Sequence, residues 1–417
     1  MKNNKTLVII TNEYPYNNGE TFLENEISFL SNSFEIIYIF SVLGKSKNKP
    51  TRFFPSNVKC FPLNCNHNRI KYCANSFFSK DNSFDLNGKN ILKSIINHYL
   101  YGRNKSIYNR ILKLIIKNHI ILNNCVIYSY WLTLGIANFK LKNYIENKYG
   151  YTPLSVSRCH GYDLYSETNG FNYQPLQEKI INSLDFVCPC SESGKEYLLN
   201  KYPNISKKII VSKLGTKYHK DFNFDSNFDF KNFVTCSGLR PVKRLDLFAK
   251  GFSLAAKKNK NIFWTCIGEG KEIKKIKKII KRNHLSDCVD FKGNLSNKEV
   301  YDFYRNNSIY SFVNVSSSEG IPVAIMEAIS FGLPVIATDV GGNHEIVNMQ
   351  NGFLIKKDCS ADDICDAISK MCNLDSTQYL KLRMNSRKMW ENNFEANKTY
   401  KVWCDFLVSK NIKKYRN

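Results

Sequence analysis

The sequence predicts an α/β protein built from two doubly wound, Rossmann-like domains, and three observations carry that reading. A chain of 417 residues is long enough for two α/β domains of ordinary size, each with its own core. Short apolar runs recur along it, each followed by a loop and then a segment of helical period, as parallel strands joined by crossover helices require. The third observation is the stretch 316–342, SSSEGIPVAIMEAISFGLPVIATDVGG. It follows one apolar run (309–315) and encloses another (334–338), with a segment between them that is apolar nearly all round. Two buried strands around a buried helix make a βαβ unit.

Within this stretch Pro322 is expected at the first helical position, where its missing N–H costs nothing, and Gly320 lets the backbone approach a ligand. A helix terminus of this kind binds anions. Glu327 is flanked by Ile325, Met326, Ala328 and Ile329 on a helix with no polar face. Its carboxylate needs a partner, because an unpaired buried charge costs on the order of several kcal/mol. Glu319 stands just before the helix, in the loop after a parallel strand, where doubly wound folds bind ligands. Two glutamates spaced E-x7-E also suit a structural ion pair plus a solvated loop acid. The flanking S-S-E-G-x-P and G-x-P-V-I-A-T-D-x-G-G argue for a site instead.

With those flanks the stretch resembles the donor-site signature of the family-4 glycosyltransferases of the GT-B fold, most closely bacterial members that build surface polysaccharides. The resemblance covers most of the chain. It implies two Rossmann-like domains facing a central cleft and transfer of a hexose-type sugar, with retention, from a nucleotide diphosphate (UDP- or GDP-linked) to a glycan or polyprenyl-diphosphate-linked acceptor. Glu327 would bind the ribose hydroxyls and Glu319 the donor sugar. The amides around Gly320, Ile321, Pro322 and Val323 would face the phosphates.

Composition narrows the class. The opening MKNNKTLVIITN has too short an apolar run for a secretory segment, and no run reaches the about 18 apolar residues of a spanning helix, so a cytoplasmic protein is expected. Fourteen cysteines are scattered, several inside apolar runs, and suit free thiols in a reducing compartment. Cys60, Cys65, His67 and Cys73 lack regular zinc-finger spacing and read as a loop. The net charge of +24 is spread along the chain with no base-reading module, which argues against nucleic acid and leaves composition bias or a peripheral contact with an anionic membrane surface.

Taken in order, residues 7–10 form a strand, followed by a loop and a helix with Phe22, Ile27 and Leu30 on one face. The loop's P-x-x-x-G-E-T-F is similar to the first loop of the same glycosyltransferases and makes Gly19 and Glu20 donor-side candidates. Glu20 also suits a first-turn acid favoured by the helix dipole. Residues 35–41 form a second strand, 51–87 read as irregular, and 91–122 hold two helical patterns. The second pattern carries Arg110, Lys113 and Lys117 around an Ile/Leu stripe, which suits either a core-facing helix with a solvated basic side or a helix lying on a bilayer.

Strands follow at 125–131 and 154–158, the latter running into CHGYDLY. His160 stands directly after that strand, and the motif resembles the family's H-G-x-D, whose histidine touches the donor sugar. Asp163 is the second candidate there or simply holds the loop. The first domain is expected over 1–216, an acidic linker over 217–231 and the second domain over 232–390, and the resemblance implies a final helix over 391–417 that crosses back to the first domain.

In the second domain SGLRPVKRLDLFAKGF follows a strand, with Leu245, Phe248 and Phe252 on one helical face and Arg240, Lys243 and Arg244 at the strand's carboxyl end. The family pattern G-R-L-x-P-x-K assigns Lys243 to the diphosphate but puts Gly238 where its arginine belongs, so Arg240 substitutes or one cation is missing. GEG at 268–270 lacks the third glycine and distal acid of a dinucleotide fingerprint. VDFKGNLSNKEV resembles the family's F-x-G-x-L loop and makes Gly293 and Asn294 neighbours of the nucleobase. No D-x-D pair occurs, so no divalent metal and no other cofactor is expected. A nucleotide-sugar epimerase on the same fold and a basic nucleic-acid binder with a vestigial site are the alternatives.

Overall fold

The computed structural model describes residues 3–17, 19–45, 49–65, 68–77, 84–88, 90–219 and 230–409. The chain divides into two compact units, Met1–Leu214 with Thr399–Asn417, and Gly215–Lys398.

The first unit holds strands β1 (Asn3–Thr11), β2 (Phe34–Ser41), β3 (Val58–Pro62), β4 (Cys125–Ser129), β5 (Leu154–Cys159) and β6 (Phe186–Pro189) in the order β3-β2-β1-β4-β5-β6. The second holds β7 (Lys231–Cys236), β8 (Ile262–Ile267), β9 (Val289–Gly293), β10 (Ser311–Asn314), β11 (Val335–Thr338) and β12 (Gly352–Ile355) in the order β12-β11-β10-β7-β8-β9. Every pairing within the two sheets is parallel. Both sheets follow the same doubly wound order, with the first strand of each unit beside its fourth. The direction of winding reverses there, between β1 and β4 and between β7 and β10, and the crevice at the strands' carboxyl ends is where such folds take ligands.

The strands read as apolar runs because both faces are covered. Along β1, Leu7 and Ile9 enter one apolar cluster with Leu23, Ile27 and Leu30, while Val8 and Ile10 enter another with Ile107, Ile111 and Ile115. That is the alternation of a pleated strand with helices on each side. In the second unit Leu245, Phe248 and Phe252 pack together against Phe233, Trp264 and Ile364, as their shared face predicts.

Three expectations change. Pro322 is the N-cap (φ −80°, ψ 108°) and the helix begins at Val323, because the preceding loop is held extended by the bond from Gly342 N to Gly320 O (2.7 Å). The segment expected as irregular contains β3 and a helix, Arg69–Phe77, packed on one continuous helix, Ile91–Lys117. Gly102, inside that helix, serves close packing, since a Cβ there would stand 1.9 Å from the Tyr72 carbonyl oxygen. The Ile107, Ile111 and Ile115 stripe of that helix is spent on the core, and Arg110 donates to Leu63 O (2.6 Å).

The expected linker lies largely outside the described residues, with β7 starting at Lys231, and so does His67 of the cysteine cluster. Among the described residues no group of three metal-ligating side chains forms.

The last helix, Ala396–Ser409, enters the first unit at Thr399. Trp403, Cys404 and Leu407 are buried with Leu7 and Ile27. Trp403 Nε1 donates to Glu26 Oε1 (2.8 Å), and Glu26 Oε2 pairs at 3.3 Å with Arg158, both side chains fully buried. Arg158 also donates to Tyr128 OH (2.9 Å) and to Ser212 O and Oγ (3.2 and 3.1 Å), and its guanidinium stands 5.0 Å from the Trp403 ring centre. Glu26→Ala leaves that cation buried without its counter-charge and is expected to lower the unfolding free energy of the first unit by about 3–5 kcal/mol. Urea denaturation measures this, and a loss below about 1 kcal/mol would show that the pair does not hold the helix.

Candidate functional site

In the second unit the loops leaving β7 and β10 are sewn together. Ser317 N donates to Val242 O (2.8 Å). Arg244, in the left-handed region at φ +49°, donates from Nε to Val315 O (2.7 Å), from Nη2 to Ser316 O (3.1 Å) and from Nη1 to Lys357 O (2.7 Å). This arginine is therefore a brace. Lys243 is left to point at Glu319, and its Nζ donates to Oε1 at 2.6 Å. The same oxygen accepts from Ser316 Oγ (2.7 Å) and Asn314 Nδ2 (3.1 Å). Three donors on one oxygen fix the carboxylate at the mouth of the crevice, with the lysine and glutamate side chains only 16 and 11 % exposed. Arg240 is exposed, and a Cβ on Gly238 would lie 3.9 Å from its Nε, so its side chain passes beside the position the missing arginine would fill.

Two glycines let backbones close on this loop. Gly341, at φ +51°, lies where a Cβ would stand 1.9 Å from the Glu319 carbonyl oxygen, so the T-D-x-G-G run clamps the loop that carries Glu319. Gly268, at φ +125°, stands equally close to the carbonyl of Ser237, and Leu239 N donates to Glu269 O (2.8 Å). GEG is thus a packing device against the Lys243 loop. Gly320 is partly exposed, whereas Ile321, Pro322 and Val323 are buried.

Glu327 is 8 % exposed on the helix Val323–Ser330 and finds no cation among the described residues. Its Oε1 accepts from Asn297 Nδ2 (2.6 Å) and Tyr301 OH (3.3 Å), and burial pushes its carboxyl up to about 7. The ion-pair reading of this glutamate is replaced by one with neutral donors. The His219 ring packs 4.3 Å from Tyr301 and 5.0 Å from Phe331 beside it. Gly293 ends β9 at φ +69° and accepts from Gly268 N (2.7 Å), with Asn294 exposed next to it.

In the first unit the loop after β1 is organised by Glu20. Its oxygens accept from Asn12 N (2.6 Å), Trp131 Nε1 (2.6 Å), Glu13 N (2.8 Å) and Tyr14 N (2.7 Å). Glu20 is buried at φ +52° before the helix Thr21–Ser33, turned inward across the β1/β4 switch point, so it acts as a loop organiser. Gly19 N donates to Glu13 Oε2 (2.8 Å).

His160 directly follows β5, with its ring centre 4.9 Å from Tyr130 and 4.8 Å from Trp131. Nδ1 lies 3.5 Å from Cys190 Sγ, and buried Nε2 has no hydrogen-bond partner among the described residues. Burial, with Arg158 nearby, pushes the imidazole down to about 3, so it is neutral at physiological pH. Asp163 spends its carboxylate on the amides of His160 (2.7 Å) and Leu132 (2.5 Å) and is pushed up to about 7 by burial, so it holds the loop.

Sequence reasoning missed Asn297, Tyr301, Asn314, Ser316, Trp131 and Cys190. Only the first pair left a signal, since they stand four apart on one helical face behind the S-x-x-E capping box of residues 296–299.

Residues 219–393 match the family model described as glycosyl transferases group 1. Over 245 residues the chain is 26 % identical to the GtfA subunit of the UDP-N-acetylglucosamine–peptide N-acetylglucosaminyltransferase of Streptococcus parasanguinis, covering 57 % of this chain and 47 % of that one. It is 24 % identical over 249 residues to the putative colanic acid biosynthesis glycosyltransferase WcaL of Escherichia coli K12, covering 56 % and 59 %. The matched segments span about half the length of these relatives. Among solved structures, the apo lipopolysaccharide outer core galactosyltransferase WaaB superposes with a TM-score of 0.66 at 14 % identity, covering 97 % of this chain and all of that one. The two parallel six-stranded sheets with flanking helices are those of the GT-B fold.

The raised Glu327 carboxyl has a consequence for stability. Its ordinary value is 4.5, so between that and about 7 the folded protein holds a proton that the unfolded chain has released. Stability of the second unit therefore falls as pH rises through this window and is level above it. Glu327→Gln escapes the penalty and is expected to be the more stable protein above pH 7, by up to about 3 kcal/mol, with the advantage gone near pH 4.5. Urea denaturation at pH 5 and pH 8 measures it, and an equal difference at both would show that Glu327 ionises normally.

Proposed function

We propose that the chain is a retaining, family-4-like hexosyltransferase. It moves a sugar from a nucleotide diphosphate, UDP- or GDP-linked, to a glycan or polyprenyl-diphosphate-linked acceptor in the synthesis of a capsule, O-antigen or exopolysaccharide. The observation that carries this reading is the E-x7-E pair at the β7/β10 switch point, with Glu319 locked against Lys243 and Glu327 buried beneath the same loop. The group 1 family match over this unit and the named transferases among the relatives support it. They favour a transferase over an epimerase or a nucleic-acid binder.

Each residue then has a task. Glu327, oriented through Oε1, offers Oε2 to the ribose hydroxyls. Glu319 takes hydroxyls of the donor sugar, and Gly293 and Asn294 border the base. When the bond from the anomeric carbon to the diphosphate breaks, the departing negative charge meets Lys243, exposed Arg240 and the N-terminus of the helix Val323–Ser330, worth about half an elementary charge. Neutral His160 is the residue of the first unit assigned to the donor sugar. Asp163, Glu20 and Gly19 shape the loops that hold it.

This set of positive groups replaces a divalent ion, so no metal or other cofactor takes part. The polyprenyl-linked acceptor puts the protein at the inner face of the plasma membrane, peripherally and from the cytoplasm. Among the described residues no helix is long and apolar enough to cross a membrane.

Incubation with a panel of nucleotide sugars tests the reading. Slow donor hydrolysis with release of the nucleoside diphosphate is expected, surviving exhaustive chelation and falling by about two or more orders of magnitude in Lys243→Ala. Interconversion of the sugars would make the protein an epimerase. No turnover with tight polynucleotide binding would make it a nucleic-acid binder. Loss of activity in chelator, restored by manganese, would give the carboxylates to a metal.

A further inference from the structure

The helices Arg69–Phe77 and Ile91–Lys117 carry an unusual distribution of side chains. On the first, Ile70 and Phe77, seven residues apart, share a face and are 84 and 62 % exposed. On the second, Ile91, Leu92 and Ile95 occupy the first turns and are 82, 50 and 46 % exposed. The two groups adjoin, since Cys73 Sγ reaches Ile95 O (3.8 Å) and Phe77 stacks on His98 with ring centres 3.9 Å apart. An isolated exposed leucine or isoleucine needs no explanation, but several such side chains gathered on two packed helices mark an interaction surface.

The charge on the same two helices says what covers it. Together they hold eight Lys or Arg residues, namely Arg69, Lys71, Lys93, Arg103, Lys105, Arg110, Lys113 and Lys117, and no Asp or Glu. A cavity of about 670 Å³ between them is lined by Lys105, Arg110 and Lys113 with Asn75, Ser106 and Asn109. A second copy of the chain would bring eight like charges against these, and self-association is disfavoured. Apolar side chains beside cations are the composition of a helix seated in the headgroup region of an anionic bilayer.

We propose that the hairpin of Arg69–Phe77 and Ile91–Lys117 is the face by which this protein sits on an anionic lipid surface. Ile70, Phe77, Ile91, Leu92 and Ile95 enter the acyl boundary, the surrounding Lys and Arg meet lipid phosphates, and the Lys105–Arg110–Lys113 cavity takes a phosphate-bearing headgroup. The Ile107, Ile111 and Ile115 stripe has no part in it, being buried in the core. This deepens the location given above and is independent of the transfer chemistry, so either can fail while the other stands.

The test is co-sedimentation of the full chain with phosphatidylglycerol vesicles and with phosphatidylcholine vesicles. Wild type is expected to pellet with the first and not the second, and to be released by about 1 M salt, where the Debye length has shrunk to about 3 Å. Two double variants, Ile70→Glu with Ile91→Glu and Lys71→Glu with Lys113→Glu, should each partition at least about tenfold less. All four positions are exposed, and an unchanged thermal melt by circular dichroism checks that the variants fold. Equal binding to both lipids, binding to neither, or variants that pellet like wild type would overturn the proposal. So would a dimer in sedimentation velocity that the apolar variant dissolves without changing vesicle binding.

Discussion

A single carboxylate oxygen, Glu319 Oε1, fixes the ligand-facing end of the second unit. It accepts from Lys243, Ser316 and Asn314 at once, and those donors come from the loop after β7, the loop after β10 and β10 itself. The two strands are the neighbours at which the sheet order reverses. The charged pair is largely shielded from solvent, where the attraction between lysine and glutamate is screened less than at a surface. The close approach of Gly341 to the Glu319 carbonyl and the Arg244 brace follow from the need to hold that oxygen still. Such pre-orientation would spare any ligand at this crevice the cost of ordering the loops.

The first unit solves the corresponding problem with carboxylates turned inward. Glu20 spends both oxygens on three amides and an indole, and Asp163 spends both on two amides. Next to them stands His160, packed between two aromatic rings and kept neutral by burial. Beneath them the buried Glu26–Arg158 pair joins the helix after β1, strand β5 and the last helix of the chain.

Much of the fold was legible in the sequence because parallel strands covered on both faces read as continuous apolar runs. The need of Glu327 for a partner was legible too. The partner was not, since Asn297 and Tyr301 come from a different helix and are neutral. Glu20 resembled a ligand-facing acid because its inward turn depends on a left-handed φ that no sequence pattern marks in a non-glycine residue. The helix Arg69–Phe77 went unseen for the reason that makes it interesting: its apolar residues face solvent, so the stretch lacks the pattern of a helix packed into a core. Arg240, by contrast, stood out from the missing arginine at Gly238, and its side chain does lie beside that glycine.

The central claim is that the β7/β10 switch point holds a nucleoside diphosphate with Glu327 on its ribose. Titration calorimetry of UDP into wild type, Glu327→Ala and Glu319→Gln addresses it most directly, because the product nucleotide lacks the sugar. Binding to wild type is expected, weakened at least about tenfold in Glu327→Ala and changed by less than about threefold in Glu319→Gln, which keeps Oε1 as the acceptor that orders the loops. UDP binding to Glu327→Ala with wild-type affinity would contradict the assignment.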